Sequence, residues 1–154
     1  RDFCLSRGLG DVYKRQQIMS SDHKYMDIDG KMVALEDLRG KYVYIDVWAT
    51  WCGPCKAELP YLKKLEKKFE GKNIYFVSIS IDANKAAWIK MVQEDQLGGI
   101  QLHGGNKAQI AKDYAIRAIP RFILLDREGK VINKEMTRPS DSETEETLNA
   151  LEGI

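Results

Sequence analysis

Cys52 and Cys55 are separated by two residues near the middle of the chain. At that spacing two thiols can close into a small disulfide and open again. The pair follows an apolar run over 42–48 and opens an amphipathic segment over 56–69, which predicts a turn from a buried strand into a helix. A helix N-terminus favours the thiolate, the nucleophile of disulfide exchange. The spacing and its setting therefore predict reversible thiol–disulfide chemistry.

The two thiols are expected to play different parts. Cys52, at the exposed tip of the turn, should attack a partner disulfide, and Cys55, more buried in the helix, should resolve the mixed disulfide. Pro54 suits the first helical position, because its missing N–H would have no partner there. Gly53 should let the backbone turn sharply and leave the first sulfur uncovered. Trp51, directly before the pair, completes the motif.

Two acids near the pair are candidate proton carriers. Asp46 interrupts an apolar strand, so it either faces outward or is a buried proton acceptor whose pKa is raised. Glu58 follows Cys55 by three residues, one helical turn, so its carboxylate can lie near the thiols. Glu58 could equally be a first-turn acid that stabilises the helix dipole. Beside a dithiol, the two acids together favour a proton-relay role.

The cysteine count supports chemistry over scaffolding. A protein built on a disulfide framework would carry more than three cysteines, at wider spacings. The pair could instead be half of a zinc site, which needs two further ligands. The available ligands are Cys4, His23 and His103, and none has finger-like spacing.

Length and charge restrict the class of protein. A chain of 154 residues is long enough for one domain with its own core. A net charge of +1 favours neither nucleic acid nor an anionic membrane as a partner. The apolar stretch over 74–81 is too short to span a bilayer. Residues 1–17 lack any helical or strand period and are interpreted as a non-domain tail of translated adapter sequence, with the domain at 18–154.

Strands alternate with helices along the domain, which predicts a mixed sheet with a parallel centre and helices on both faces. A capping box formed by Ser142 and Glu145 should begin the last helix. The predicted strands lie around an Asp-Gly turn at 26–33 and at 42–48, 74–81, 100–102, 122–125 and 131–135; the predicted helices lie at 35–38, 56–69, 84–94, 108–115 and from 142 onward.

The stretch VWATWCGPCKAELP, residues 47–60, closely resembles the active site of thioredoxin-fold proteins, and Ala118-Ile119-Pro120 resembles their second signature. The resemblance implies a thioredoxin-like α/β fold in which Pro120 is cis and lies beside the dithiol. It also matches Asp46 to the buried acid of thioredoxins. Ser78 stands where thioredoxins tend to carry a lysine near that acid.

More narrowly, the chain resembles the TlpA/ResA-type thiol-disulfide oxidoreductases of the bacterial cell envelope over residues 26–151. Three features carry this: the N-terminal hairpin, Glu58 after the motif, and an inserted helix and strand between Asp82 and Pro120. The resemblance implies a monomeric reductase of protein disulfides, recharged by an upstream electron donor and needing no cofactor. It implies that the protein is located in the periplasm or cell envelope, and the cytoplasm is the alternative location. Arg121 departs from the usual small residue and could favour an acidic partner or restrict access.

Two other functions compete with this one. A thiol peroxidase would share the fold family, but it requires a Thr or Ser shortly before a lone cysteine in a Pro-rich loop. A metal-binding module would use the two thiols together with His103 and carry out no catalysis. Insulin reduction, peroxide consumption and metal content distinguish the three.

Overall fold

A seven-stranded sheet organises the protein in a computed structural model that describes residues 23–154. The strands are β1 (Lys24–Asp27), β2 (Met32–Ala34), β3 (Tyr42–Trp48), β4 (Ile74–Ser80), β5 (Ile100–His103), β6 (Arg121–Leu125) and β7 (Val131–Asn133). A 3-10 helix spans Leu35–Leu38, and the α-helices are α1 (Gly53–Lys68), α2 (Lys85–Glu94), α3 (Gln109–Asp113) and α4 (Ser142–Asn149).

The strands lie in the order β2-β1-β5-β4-β3-β6-β7. The central strands β3, β4 and β5 are parallel, while β6 and β7 continue the sheet, with β6 antiparallel to β3 and β7 antiparallel to β6. The N-terminal hairpin extends the other edge, where β1 pairs with β5 in antiparallel register. The mixed thioredoxin-like α/β fold is confirmed, including the inserted α2 and β5.

Alternation along β3 divides the core between the two faces of the sheet. Val43, Ile45 and Val47 face a cluster closed by the 3-10 helix and α3. Tyr44 faces the opposite cluster, which is closed by α1 and α4. Helices on both faces explain why β3 is buried along its whole length.

A third cluster lies where β3 ends and α1 begins. It contains Trp48 from β3, Trp88 from α2 and the two residues of the disulfide, and Ile119 packs against it. The inserted helix α2 therefore supplies one wall of the surroundings of the cysteine pair.

One local prediction, the cap of the last helix, differs from the structure. The last helix is capped by Asp141, whose carboxylate accepts a hydrogen bond from the N–H of Glu143 at 2.9 Å, so the Ser142–Glu145 capping box is wrong. The chain enters the helix one residue earlier than predicted, and Asp is as good a cap as Ser. The boundary between residues 17 and 18 falls outside the described residues, as does Cys4, and it stays a prediction.

Candidate active site

Cys52 and Cys55 are joined by a disulfide at the N-terminus of α1. Cys52 is the N-cap, and its Sγ accepts a hydrogen bond from the N–H of Cys55 at 3.2 Å. The first N–H groups of a helix lack intrahelical acceptors, so this bond satisfies one of them and directs the positive end of the helix at the sulfur. The helix begins at Gly53, so the prediction that Pro54 is its first residue is wrong by one position. Pro54 has no N–H, but the helix loses no hydrogen bond there, because its first N–H groups have no intrahelical acceptor.

Both cysteines are buried, with exposed fractions of 5% for Cys52 and 3% for Cys55. The prediction that Cys52 forms an exposed tip is therefore wrong for this disulfide-bonded form. The pair lies in the cluster with Trp48 and Trp88, and the carbonyl oxygen of Ile119 lies 3.8 Å from Cys52 Sγ. Exposure does not distinguish the two sulfurs. The two sulfurs are distinguished by the backbone N–H of Cys55, which points at Cys52 Sγ.

The predicted supporting residues surround the pair. Trp51 is 67% exposed directly beside it. The Ile119–Pro120 peptide bond is cis, as the resemblance implied. A side chain on Gly53 would meet no atom within 4 Å, and Gly53 does not have a positive φ, so the turn itself does not require glycine. Glycine leaves open surface at this position.

Asp46 lies in the middle of β3 and is 5% exposed. Of the two predicted placements, outward-facing or buried, the structure therefore shows the buried one. Burial raises the pKa of Asp46 to about 8, and the negative charges of Glu66 and Glu58 contribute to the rise. Ser78 is its register partner on β4, in the position expected from the resemblance. The carboxyl group of Asp46 can therefore take up and release a proton near neutral pH.

Glu58 is buried, and its carboxylate is held by Ser140 from the loop before α4. It accepts hydrogen bonds from the N–H of Ser140 at 2.9 Å and from its hydroxyl at 2.8 Å. Because α1 begins at Gly53, Glu58 lies beyond the first turn, and the alternative of a first-turn acid is wrong. Ser140 was missed because a loop residue 82 positions away gives no periodic signal.

Sequence reasoning also missed Asp82, which is 1% exposed just beyond the end of β4. Its carboxylate accepts hydrogen bonds from the N–H of Thr50 at 3.1 Å, from the hydroxyl of Thr50 at 2.7 Å and from the hydroxyl of Ser80. Thr50 is two residues before Cys52, so Asp82 holds the turn that leads into the disulfide. The signal was available: a parallel centre of the sheet was predicted, and the carboxyl ends of parallel strands share one edge of a sheet.

His103 and Arg121 are both engaged by their own chain. His103 stacks on Trp88 with ring centroids 5.2 Å apart, and its Nε2 lies 2.8 Å from the carbonyl oxygen of Asp82. Arg121 Nε donates to the carbonyl of Lys134 at 2.9 Å. Residues 23–154 contain no group of three or more His, Cys, Asp or Glu side chains placed to hold a metal ion.

In the part of the chain that the structure describes, no helix is long and apolar enough to cross a membrane.

A redox-active pair at a strand-to-helix turn beside a cis proline defines a thioredoxin-like thiol-disulfide oxidoreductase, and the comparisons agree. The sequence profile of the Redoxin family matches residues 17–151. The chain is 32% identical over 135 residues to the thiol-disulfide oxidoreductase ResA of a Bacillus cereus strain, covering 86% of this chain and 77% of that one. The chain belongs to the Redoxin family and is a thiol-disulfide oxidoreductase of the TlpA/ResA type.

Solved structures are similar over the same region. A solution structure from Bacteroides vulgatus, described as that of a thiol-disulfide oxidoreductase, is 58% identical with a TM-score of 0.78, covering 88% of this chain and 90% of that one. The thioredoxin domain of another thiol-disulfide oxidoreductase from Bacteroides vulgatus is 31% identical with a TM-score of 0.74, covering 82% of this chain and 89% of that one.

Proposed function

We propose that the protein is a reductase of protein disulfides in which Cys52 attacks and Cys55 resolves. The observation that carries this assignment is the hydrogen bond from the Cys55 N–H to Cys52 Sγ at the start of α1. In the reduced protein that N–H and the helix dipole stabilise a thiolate on Cys52. This thiolate attacks one sulfur of the partner disulfide and releases the other as a thiolate. The Cys55 thiolate then attacks Cys52 Sγ, which releases the reduced partner.

The direction of electron flow is inferred from Gly53 and Pro54. This dipeptide is the one found in reducing thioredoxins, whose reduction potential is about −270 mV, whereas the oxidant DsbA has a potential of about −120 mV. We expect the Cys52–Cys55 couple to lie nearer the first value. An upstream electron donor must then return two electrons to the disulfide after each turnover.

Asp46 is the proposed acceptor for the proton that Cys55 loses in the resolving step. Its raised pKa keeps its proton affinity close to that of a thiol, which suits proton exchange between them. Glu58, fixed by Ser140, is proposed to tune this exchange, because its negative charge raises the pKa of Asp46.

The exposed surface beside the disulfide is the proposed partner site. Trp51 offers apolar area that a partner can cover, and the cis peptide at Pro120 holds the Ile119 carbonyl next to Cys52. By resemblance we propose a monomer in the cell envelope or periplasm, with residues 1–17 outside the functional domain.

Insulin reduction by dithiothreitol tests the function. Because Cys4 is a third thiol, Cys4→Ser serves as the reference protein. We expect it to accelerate insulin precipitation and Cys4→Ser/Cys52→Ser to lose the effect. Equal acceleration by both proteins would contradict the assignment of Cys52. Rapid thiol-dependent consumption of hydrogen peroxide would favour a peroxidase, and stoichiometric zinc in the purified reduced protein would favour a metal-binding module.

A further inference from the structure

The chain between β3 and α1 is a short turn that begins at Ala49 and ends at Cys52. The carbonyl oxygen of Ala49 accepts a hydrogen bond from the N–H of Cys52 at 3.1 Å. Cys52 is also the N-cap of α1, so the conformation of this turn sets where its Sγ lies relative to the first N–H groups of the helix. Residues that hold the turn therefore help to determine the surroundings of this sulfur.

The segment that follows β4 holds the turn by hydrogen bonds. The carbonyl oxygen of Trp48, directly before the turn, accepts a bond from the N–H of Ile81 at 2.8 Å. Within the turn, the N–H of Thr50 lies 3.1 Å from both carboxylate oxygens of Asp82, and the Thr50 hydroxyl donates to Oδ1 at 2.7 Å. The backbone and the side chain of Thr50 thus bind the same carboxylate, which fixes the orientation of this residue.

Asp82 is itself held by its neighbours. It is 1% exposed, and its Oδ2 accepts a hydrogen bond from the hydroxyl of Ser80. The same hydroxyl accepts a bond from the N–H of Asp82 at 3.0 Å. The carbonyl oxygen of Asp82 lies 2.8 Å from Nε2 of His103, the residue of β5 that pairs with Ser80. A buried carboxylate with several donors around it has little freedom to move.

His103 connects Asp82 to the inserted helix and strand. Its ring stacks on that of Trp88, with the ring centroids 5.2 Å apart, and Trp88 is completely buried in the cluster that contains both cysteines. The inserted α2 and β5 therefore reach the cysteine pair in two ways. Trp88 packs in its cluster, and His103 binds the residue that holds the turn.

We propose that Asp82 is a positioning residue for Cys52, because through Thr50 it keeps the turn in the conformation that places Cys52 Sγ at the N-terminus of α1. The hydrogen bonds of Asp82 go to Thr50, Ser80 and His103 rather than to a sulfur atom, so Asp82 acts on the chemistry only through the turn. The inference rests on the proposed function, in which Cys52 is the attacking thiolate.

The hold on the turn should affect how readily Cys52 ionises. The N–H of Cys55 stabilises a thiolate only while Cys52 Sγ stays in place at the start of the helix. If the turn loosens, this hydrogen bond weakens, and a smaller fraction of the thiol is ionised at neutral pH. The negative charge of the Asp82 carboxylate acts in the opposite direction, because a like charge disfavours a thiolate. Position and charge must therefore be separated by experiment.

Alkylation by iodoacetamide tests the inference without a protein partner. The reduced Cys4→Ser protein is the parent, and peptide mapping locates the cysteine that reacts. Thr50→Val removes the hydroxyl but keeps the shape of the side chain and the charge of Asp82. We expect it to slow alkylation of Cys52 at pH 7 by about threefold or more, because a displaced reacting group loses reactivity. Thr50→Ser restores the hydroxyl and should react as fast as the parent.

Asp82→Asn shows whether the hydroxyl acts through the carboxylate. Thr50→Val should slow alkylation less in the Asp82→Asn protein than in the parent, because the bond that it removes is already weakened there. The lost charge is common to both Asp82→Asn proteins and cancels in this comparison. Tyr25→Phe is the control: it removes a buried hydroxyl that accepts from the N–H of Ile110 at 3.1 Å, in a different cluster from the cysteines, and should leave alkylation unchanged.

Equal alkylation rates in Thr50→Val and the parent would overturn the positioning role, and so would an equal effect of Thr50→Val with and without Asp82→Asn. A slowing of the same size in Tyr25→Phe would also contradict it, because general destabilisation would then explain the result. If peptide mapping shows that Cys55 reacts before Cys52 in the parent, the proposed function itself fails, and the two failures are distinguishable.

Discussion

The sulfur of Cys52 takes the place that an oxygen holds at most helix N-caps. Ser, Thr, Asp and Asn normally accept the hydrogen bond from the first-turn N–H groups. Here Cys52 Sγ accepts from the N–H of Cys55 at 3.2 Å. When the disulfide opens, the same N–H faces a thiolate, and a charge-assisted hydrogen bond is stronger than a neutral one. Reduction therefore places the negative charge on the sulfur that the helix stabilises.

Asp46 should make the stability of the protein depend on pH. Its folded pKa, about 8, lies above the ordinary value of 3.8, so the native state holds a proton that the unfolded chain has released. The stabilisation is complete below about pH 4 and is lost as pH rises toward about 8. In urea unfolding, Asp46→Asn should remove a slope of up to about 1.4 kcal/mol per pH unit in this window.

Asp29→Asn is the control for that measurement, because Asp29 is an exposed acid in the turn of the N-terminal hairpin. The free energy of unfolding of Asp29→Asn should depend on pH as steeply as that of the parent protein. Equal slopes for Asp46→Asn and the parent protein between about pH 5 and 8 would contradict the assignment of a protonated, buried Asp46.

Helix α1 positions acidic residues along its length as well as the cysteine pair. Its first turn holds the cysteine pair, its second turn presents Glu58 to Ser140, and Glu66 lies near its C-terminal end over the turn at Gly99. That turn must accommodate both Glu66 and the backbone of β4, since a Cβ on Gly99 would lie 2.6 Å from the carbonyl oxygen of Phe76.

Two glycine substitutions separate backbone strain from crowding. Gly71 has φ +80° and open space around it, whereas Gly99 has φ +66° and the close contacts above. Gly71→Ala should lower the free energy of unfolding by only about 1 kcal/mol, the cost of placing an alanine in the left-handed conformation. Gly99→Ala should lose a further 1–3 kcal/mol, roughly the cost of overpacking. Chemical denaturation measures both; equal losses would show that the turn tolerates a side chain beside Glu66.

At the scale of elements, hydrophobic periodicity predicted the strands and helices well. The strand over 42–48 was confirmed to the residue, and the helix predicted over 84–94 is observed at Lys85–Glu94. Predictions that depended on exact ends were weaker, since α1 begins three residues before the amphipathic pattern does. Its first residues, Gly53 and Pro54, are poor helix formers, and the cap at Cys52 rather than propensity fixes the start.

At the scale of the whole molecule, the sheet topology builds the site from distant segments. The order of strands sets Asp46, Ser78 and Gln101 side by side, although they are far apart in sequence. The motif itself and Pro120 could be predicted, because they have local signatures. Ser140 and the side-by-side placement of Asp46, Ser78 and Gln101 could not, because they depend on loop placement and strand register that no local pattern encodes.

The assignment of Cys52 as the attacking sulfur and Cys55 as the resolving sulfur is tested most directly by trapping mixed disulfides. In a Cys4→Ser background, the reduced Cys55→Ser and Cys52→Ser variants are each mixed with a protein disulfide such as insulin. Non-reducing electrophoresis then separates the products. We expect a stable adduct with Cys55→Ser and little or none with Cys52→Ser, because the helix N-terminus activates only the first sulfur. An adduct that forms with Cys52→Ser as fast as with Cys55→Ser would contradict the account.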